Sequence, residues 1–122
     1  MKFPVRQAGA EDASPMLQLY NRFTRQFVGS ASRTIKPFRK MLRRKDNVSF
    51  VALDSQNQII GYASARFEKT FNRGEFREIV VHPEHDVELV AQQLAERVNT
   101  AFMERKVSSI RAGSVQNPIY EK

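Results

Sequence analysis

Three strand-like stretches follow one another in the middle of this chain with no space for a helix between them. Residues 48–53, 59–67 and 75–82 are rich in apolar, β-branched and aromatic residues. The first gap holds Asp54, Ser55, Gln56, Asn57 and Gln58, and Asn72, Arg73 and Gly74 mark a turn in the second. Such residues favour turns because their side chains bond the local backbone or, for Gly, tolerate positive φ. Parallel neighbours need a crossover of a dozen or more residues, so gaps this short dictate an antiparallel meander. Gly61 suggests a bulge in the middle strand. Pro83 ends the third strand, because it has no N–H to give to a ladder.

Helical patterns flank the meander. Residues 2–6 read as a short strand, and Ala8, Gly9 and Ala10 as a loop. Asp12 or Ser14 is placed to cap a helix, and Pro15 sits at an early position that tolerates it. Met16, Leu17, Tyr20, Phe23 and Phe27 then form one apolar stripe that ends near Val28, Gly29 and Ser30. A second helix over residues 36–44 buries Phe38, Met41 and Leu42, while Arg39, Lys40, Arg43 and Arg44 point elsewhere. After the meander, Asp86 caps a helix running to about residue 106, with Leu89, Val90, Leu94, Val98, Ala101 and Phe102 as its stripe. Residues 109–115 form a last strand, broken by Gln116, Asn117 and Pro118. The order β-α-α-β-β-β-α-β is an α+β pattern. At 122 residues, 1–122 reads as a single domain, and 41% apolar residues, nine of them Phe, supply a core.

Several function classes are excluded. With no cysteine there is no disulfide framework, thiolate zinc site or cysteine nucleophile. No apolar run is long enough to span a membrane. The opening residues lack the apolar segment of a secretory signal, which leads us to expect a cytoplasmic protein. No G-x-G-x-x-G or Walker loop is present, and no Ser-His-Asp order stands out. His82 and His85 flank a proline at a spacing poorly suited to zinc, so we expect no metal site. Charge is more informative. The net charge is +7, yet residues 13–45 hold nine basic residues and no acid, while the rest has eleven basic and thirteen acidic. One segment therefore carries the whole excess. It is either a solvated face or a surface for nucleic acid, CoA-like phosphates or an acidic protein.

The residues in this order resemble the GNAT superfamily of acetyl-CoA-dependent N-acetyltransferases. Val5, Arg6, Gln7 and Ala8, followed by Glu11, Asp12, Ala13 and an amphipathic helix, look like the family's opening. Ile60, Gly61, Tyr62 and Ala63 resemble its meander strand. The stretch from Arg77 through Glu78, Ile79, Val80, Val81, His82 and Pro83 to Glu84 resembles its V-x-P-E element. The resemblance runs from Phe3 to Asn117. It implies a mixed sheet with an antiparallel meander, and acetyl-CoA in a split between the third meander strand and the strand after the long helix. It further implies that Ile79, Val80 and Val81 hold the pantetheine arm through their backbone and that Asn117 lies in the cleft. The amine would then attack the thioester with help from a base. Strand alternation puts Phe76, Glu78, Val80 and His82 on one face, which makes Glu78 or His82 the candidate to face the cleft, and Glu78 the candidate base. The plain alternative for Glu78 is a strand carboxylate paired with Arg77, Arg66 or Arg111. The resemblance also sets Lys36, Arg39, Lys40, Arg43 and Arg44 beside the acceptor site, where they would select an acidic substrate or, alternatively, grip nucleic acid phosphates.

Two departures from the family pattern stand out. Its pyrophosphate loop aligns with residues 86–91, where Asp86, Glu88 and Leu89 replace the usual Arg or Gln and glycine. Close anions repel by about 1–4 kcal/mol before screening, so weak CoA binding or none is expected. The plain alternative is an Asp-capped helix. The second departure is the end of the chain. Tyr120 follows too soon after Asn117 to match the family's acid-role Tyr, and Lys122 comes before the expected closing strands. That predicts an incomplete domain, the N-terminal part of a longer chain, or a reduced fold whose open sheet edge pairs in a homodimer. The functional expectation is an acetyl-CoA-dependent N-acetyltransferase acting on a small-molecule or peptide amine, impaired to the extent that the altered loop weakens CoA binding. The alternative is a non-catalytic GNAT-like module binding a protein or nucleic acid through residues 33–45.

Overall fold

A computed structural model describes residues 3–24 and 33–112. Strand β1 (Val5–Gln7) leads through a 3₁₀ turn (Ala10–Asp12) to helix α1 (Ala13–Thr24) and helix α2 (Ile35–Arg43). The meander follows as β2 (Asn47–Leu53), β3 (Ile59–Glu68) and β4 (Arg73–Val81), then α3 (Val87–Glu104) and β5 (Ser109–Ala112). The five strands form one sheet in chain order, β1-β2-β3-β4-β5. The first four are antiparallel neighbours, and β5 joins β4 in parallel after the α3 crossover. This is the α+β order expected from the sequence. The expectations for Phe27, Val28, Gly29, Ser30, Val115, Gln116, Asn117, Pro118 and Tyr120 lie outside the described residues.

The sheet is covered on both faces. On one, α3 places Val90, Leu94, Val98 and Phe102, each 0% exposed, against Phe50, Ala63, Ala65, Ile79 and Val81. Spacing by four keeps these on a single helical stripe. On the other face, Met16, Leu19 and Tyr20 of α1 and Phe38 and Leu42 of α2 pack on Val51, Leu53, Tyr62 and Val80. A bulge does occur next to Gly61: Ala52 pairs with Gly61 but Leu53 with Ile59, so Ile60 is the extra residue.

Three details differ from the sequence expectation. Arg73 and Gly74 are strand residues, and the turn lies earlier, with Asn72 at φ 47°. Gly74 is needed for packing instead: a Cβ there would stand 2.6 Å from the Phe102 ring. Asp12 does not cap α1 through its side chain. Its carboxylate turns back to accept Gly9 N–H at 2.9 Å and two Arg6 N–H groups at 2.8 and 2.9 Å, closing the 3₁₀ turn onto β1. Phe76 and Glu78 do not share a face. Ser64 pairs with Glu78 and Ala65 with Phe76, so Arg77 is an extra residue in β4. Simple alternation fails at a bulge. Phe76 therefore packs edge-on against Phe102 on the α3 side, and Glu78 turns to the α1–α2 side.

Gly74→Ala should cost about 1–3 kcal/mol in urea denaturation by crowding Phe102, and Phe102→Leu in the same chain should recover part of the loss. The Arg6 hydrogen bonds hold the Asp12 carboxyl below its ordinary 3.8. A lowered folded pKa adds stability above the unfolded value that is lost as pH falls through the folded one. Asp12→Asn should therefore lower stability by about 1–2 kcal/mol near neutral pH. The gap to the parent should close as pH drops below 3.8.

Candidate active site

Strands β4 and β5 pair only from Arg73 opposite Ser109 to Phe76 opposite Ala112 among the described residues. Beyond Phe76, β4 continues paired with β3. The His82 amide donates to the Ile60 carbonyl at 2.8 Å. Alternation along an antiparallel ladder then turns Val80 towards β3 and aims the N–H and C=O of Ile79 and Val81 at the opposite edge. Of the three residues singled out for the pantetheine arm, Ile79 and Val81 thus point their backbone groups away from β3, while Val80 bonds to it.

Glu78 lies at the start of this segment and is 6% exposed. Burying a carboxylate requires partners. The fully buried Tyr62 hydroxyl donates to its Oε2. The Arg33 guanidinium reaches both oxygens, at 3.0 Å to Oε2 and 2.8 Å to Oε1. Arg33 is held in turn. Its guanidinium lies 3.9 Å from the centre of the Tyr20 ring, and its backbone exchanges two hydrogen bonds with the Asn21 side chain. Burial and the Glu78 carboxylate push the Tyr62 phenol well above its ordinary pKa, so it stays protonated and donating. Burial opposes the Arg33 charge, but Glu78 together with the two tyrosines outweighs it and the guanidinium's pKa is raised. The expected pairing of Glu78 with Arg77, Arg66 or Arg111 is replaced by Arg33, because the bulge turns Glu78 towards the helices. Arg66 pairs with Glu75 at 2.8 Å instead.

A cleft of about 620 Å³ opens between α2 and strands β3 and β4, with Glu78, Ser64 and Phe38 in its wall. Arg33, Lys40, Arg44, Arg66 and Arg77 also line it, against the acids Asp46 and Glu78. Of the α2 cations proposed as acceptor contacts, Lys40 and Arg44 border this cleft, and Lys36, Arg39 and Arg43 do not. Arg44 is committed to Asp46 through bonds of 2.9 and 3.0 Å.

The start of α3 is closed by its own residue. Asp86 accepts the Leu89 N–H at 3.1 Å, with Glu88 in the first turn. A helix N-terminus is an anion site when its amides are free and its field is positive. Here one amide is taken by a carboxylate, and two acidic side chains stand beside the rest. His82 packs on Phe23 and His85, away from Glu78's partners, with ring centres 4.8 and 5.7 Å apart.

The sequence model of the Acetyltransferase (GNAT) family matches residues 14–118. The chain belongs to this acetyltransferase family. Solved structures agree on the GNAT fold. A probable acetyltransferase superposes with TM-score 0.74 at 23% identity, over 91% of this chain and 78% of its own. A ribosomal-protein-alanine N-acetyltransferase from Brucella melitensis biovar Abortus 2308 gives 0.75 at 15% identity, over 98% and 84%. An aminoglycoside acetyltransferase from an uncultured soil metagenomic sample, in complex with sisomicin, gives 0.73 at 14%, over 93% and 76%. No curated protein matches the sequence.

Within this GNAT domain the structure brings Glu78, Ile79 and Val81 together at one edge and adds residues that sequence reasoning passed over. Arg33 was counted only as one charge of the basic segment, and Tyr62 only as part of a strand motif. Local sequence carries no sign of their union, since Arg33 meets Glu78 across 45 residues. Arg33→Met should destabilise the domain by about 1–3 kcal/mol by leaving Glu78 without its counter-charge, less than a fully buried pair because Arg33 is partly exposed. In a double-mutant cycle with Glu78→Gln, the two losses should fall short of adding.

Proposed function

We propose that this GNAT domain is an N-acetyltransferase that uses acetyl-CoA and an amine acceptor, with Glu78 as the carboxylate that receives the acceptor's proton. The observation carrying this reading is that Ile79 and Val81 point their backbone groups away from β3, next to a buried carboxylate that borders a cleft. The chain's residues fit the two halves of acetyl-CoA unequally. The backbone groups of Ile79 and Val81 that point away from β3 suit a pantetheine arm, which carries its own amide groups. The start of α3, with Asp86 and Glu88, suits a pyrophosphate poorly. When bound, acetyl-CoA supplies the thioester carbonyl at which an amine nitrogen forms a C–N bond as the C–S bond breaks and the thiolate leaves.

The chain's own part is positional. The β4 edge fixes the extended ligand, and the cleft wall of Ser64, Phe38 and Glu78 faces the acceptor. Glu78 takes the ammonium proton, directly or through one water, which frees the nitrogen lone pair. Arg33 and Tyr62 act through Glu78, holding its carboxylate in one orientation. Asn117 completes the assignment as a cleft residue by resemblance alone. The second reading, a binding module without catalysis, draws on the carboxylate of Asp86 at the helix start.

A calorimetric titration with acetyl-CoA at low salt separates the two. The acetyltransferase reading requires saturable binding, weakened by the acids at the start of α3, and no heat up to millimolar ligand overturns it. Asp86→Asn keeps a good cap while removing the charge, and should tighten acetyl-CoA by about three- to tenfold. Glu78→Gln should lower kcat by about 100-fold with little change in acetyl-CoA affinity.

A further inference from the structure

The cleft beside Glu78 has a charge pattern that selects among amines. Among the described residues, five cationic side chains border it against two acids. Local pairing uses up part of that charge. Arg33 neutralises Glu78, Arg44 is held by Asp46, and Arg66 by Glu75. Among the described residues, Lys40 and Arg77 have no ion pair, and both border the same cleft as Glu78. Lys40 comes from α2 and Arg77 is the bulged residue of β4, so two separate elements present their charge to one space. Arg77 is exposed in the chain direction immediately before the buried Glu78.

A polycationic acceptor would meet net repulsion here, whereas the anionic group of an acceptor amine would find two cations that no described acid pairs. Resting on the acetyltransferase reading, we propose that the acceptor is an amine carrying an oxyanion, a carboxylate or a phosphate. Its nitrogen is directed to Glu78 and its anion to Lys40 and Arg77. The cleft's volume of about 620 Å³ suits a small molecule or the end of a peptide. Phe38 and Met41 give it an apolar wall for the carbon chain between the two charges.

Matched amines test this. With acetyl-CoA present, 4-aminobutyrate is compared with butylamine, O-phosphoethanolamine with ethanolamine, and spermidine serves as the polycation. Thiol release is read with a chromogenic disulfide, free of protein background because the chain has no cysteine. Binding of each amine is measured separately by calorimetry. At least one anionic amine should exceed its neutral match by about tenfold or more in kcat/KM, the worth of one charged hydrogen-bond contact. Lys40→Gln and Arg77→Gln should each erase most of that preference, mainly through KM. Lys106→Gln, which removes the same charge beyond the end of α3, should leave it. The carboxylate and phosphate pairs tell which oxyanion is preferred. Equal use of neutral amines, or a preference for spermidine, overturns the proposal while leaving acetyl transfer standing. If no amine is acetylated, calorimetry decides: selective binding of the anionic amines, lost in Lys40→Gln, upholds the recognition and removes only the catalysis. Absence of such binding overturns the proposal.

Discussion

One extra residue in β4 sets the arrangement of everything around it. Inserting Arg77 between Phe76 and Glu78 lets a single strand serve two opposite faces within three positions. Before the bulge, Gly74 and Phe76 belong to the core under α3, and the closeness of Gly74 to the Phe102 ring shows how tightly that end is packed. After it, Glu78 belongs to the space under α1 and α2. The described pairing with β5 also runs only as far as Phe76. A bulge bends a strand and increases its twist. The same irregularity therefore turns a carboxylate towards the cleft, directly before the residues Ile79 and Val81 that point their backbone groups away from β3.

A carboxylate delivered to that place is costly without partners, and its partners organise the neighbouring helices. Arg33 brings its charge from the residues just before α2, and Asn21 on α1 holds the Arg33 backbone from the other side. Stacking on Tyr20 lets the guanidinium stay partly wet while its planar face is covered. The pair thus ties α1, the start of α2 and β4 to one another at the cleft. Buried ion pairs are weak evidence for net stability. Their effect here is to fix the relative position of three elements, which a comparably sized apolar contact would fix less specifically.

The meander, the three helices and the final strand were all legible from period and punctuation, because each element has a clear stripe and short polar connections. Val90, Leu94, Val98 and Phe102 announce α3 by spacing alone, and Pro83 announces the end of β4. The family resemblance, carried most by residues 77–84, agrees with the family model that matches residues 14–118. What sequence reasoning missed follows from non-local geometry. A bulge changes which residues share a face, and alternation placed Phe76 beside Glu78 where the structure separates them. The partner of a buried charge is chosen by tertiary approach, so nearby arginines were natural guesses and distant Arg33 was not. Gly74 reads as a turn glycine, yet in the folded state it leaves room for the ring of Phe102, 28 residues further along the chain.

The two ends of the proposed site carry opposite charge, and that contrast is the main chemical question the fold poses. Acids gather at the start of α3, where a phosphate-bearing ligand would want amides, and cations gather at the cleft under α2. If charge were set only by solubility, the signs would be mixed over the surface. Instead, residues 13–45 contain no acid at all, and the part of this segment that reaches the cleft faces a wall whose acids are already paired. Long-range attraction decays within about 10 Å at ordinary ionic strength, so the two ends act on different parts of any ligand pair. In the proposed reading, a weak hold on one ligand's phosphates would coexist with a pull on the other ligand's oxyanion, because the acids lie at the start of α3 and the cations that no described acid pairs lie at the cleft.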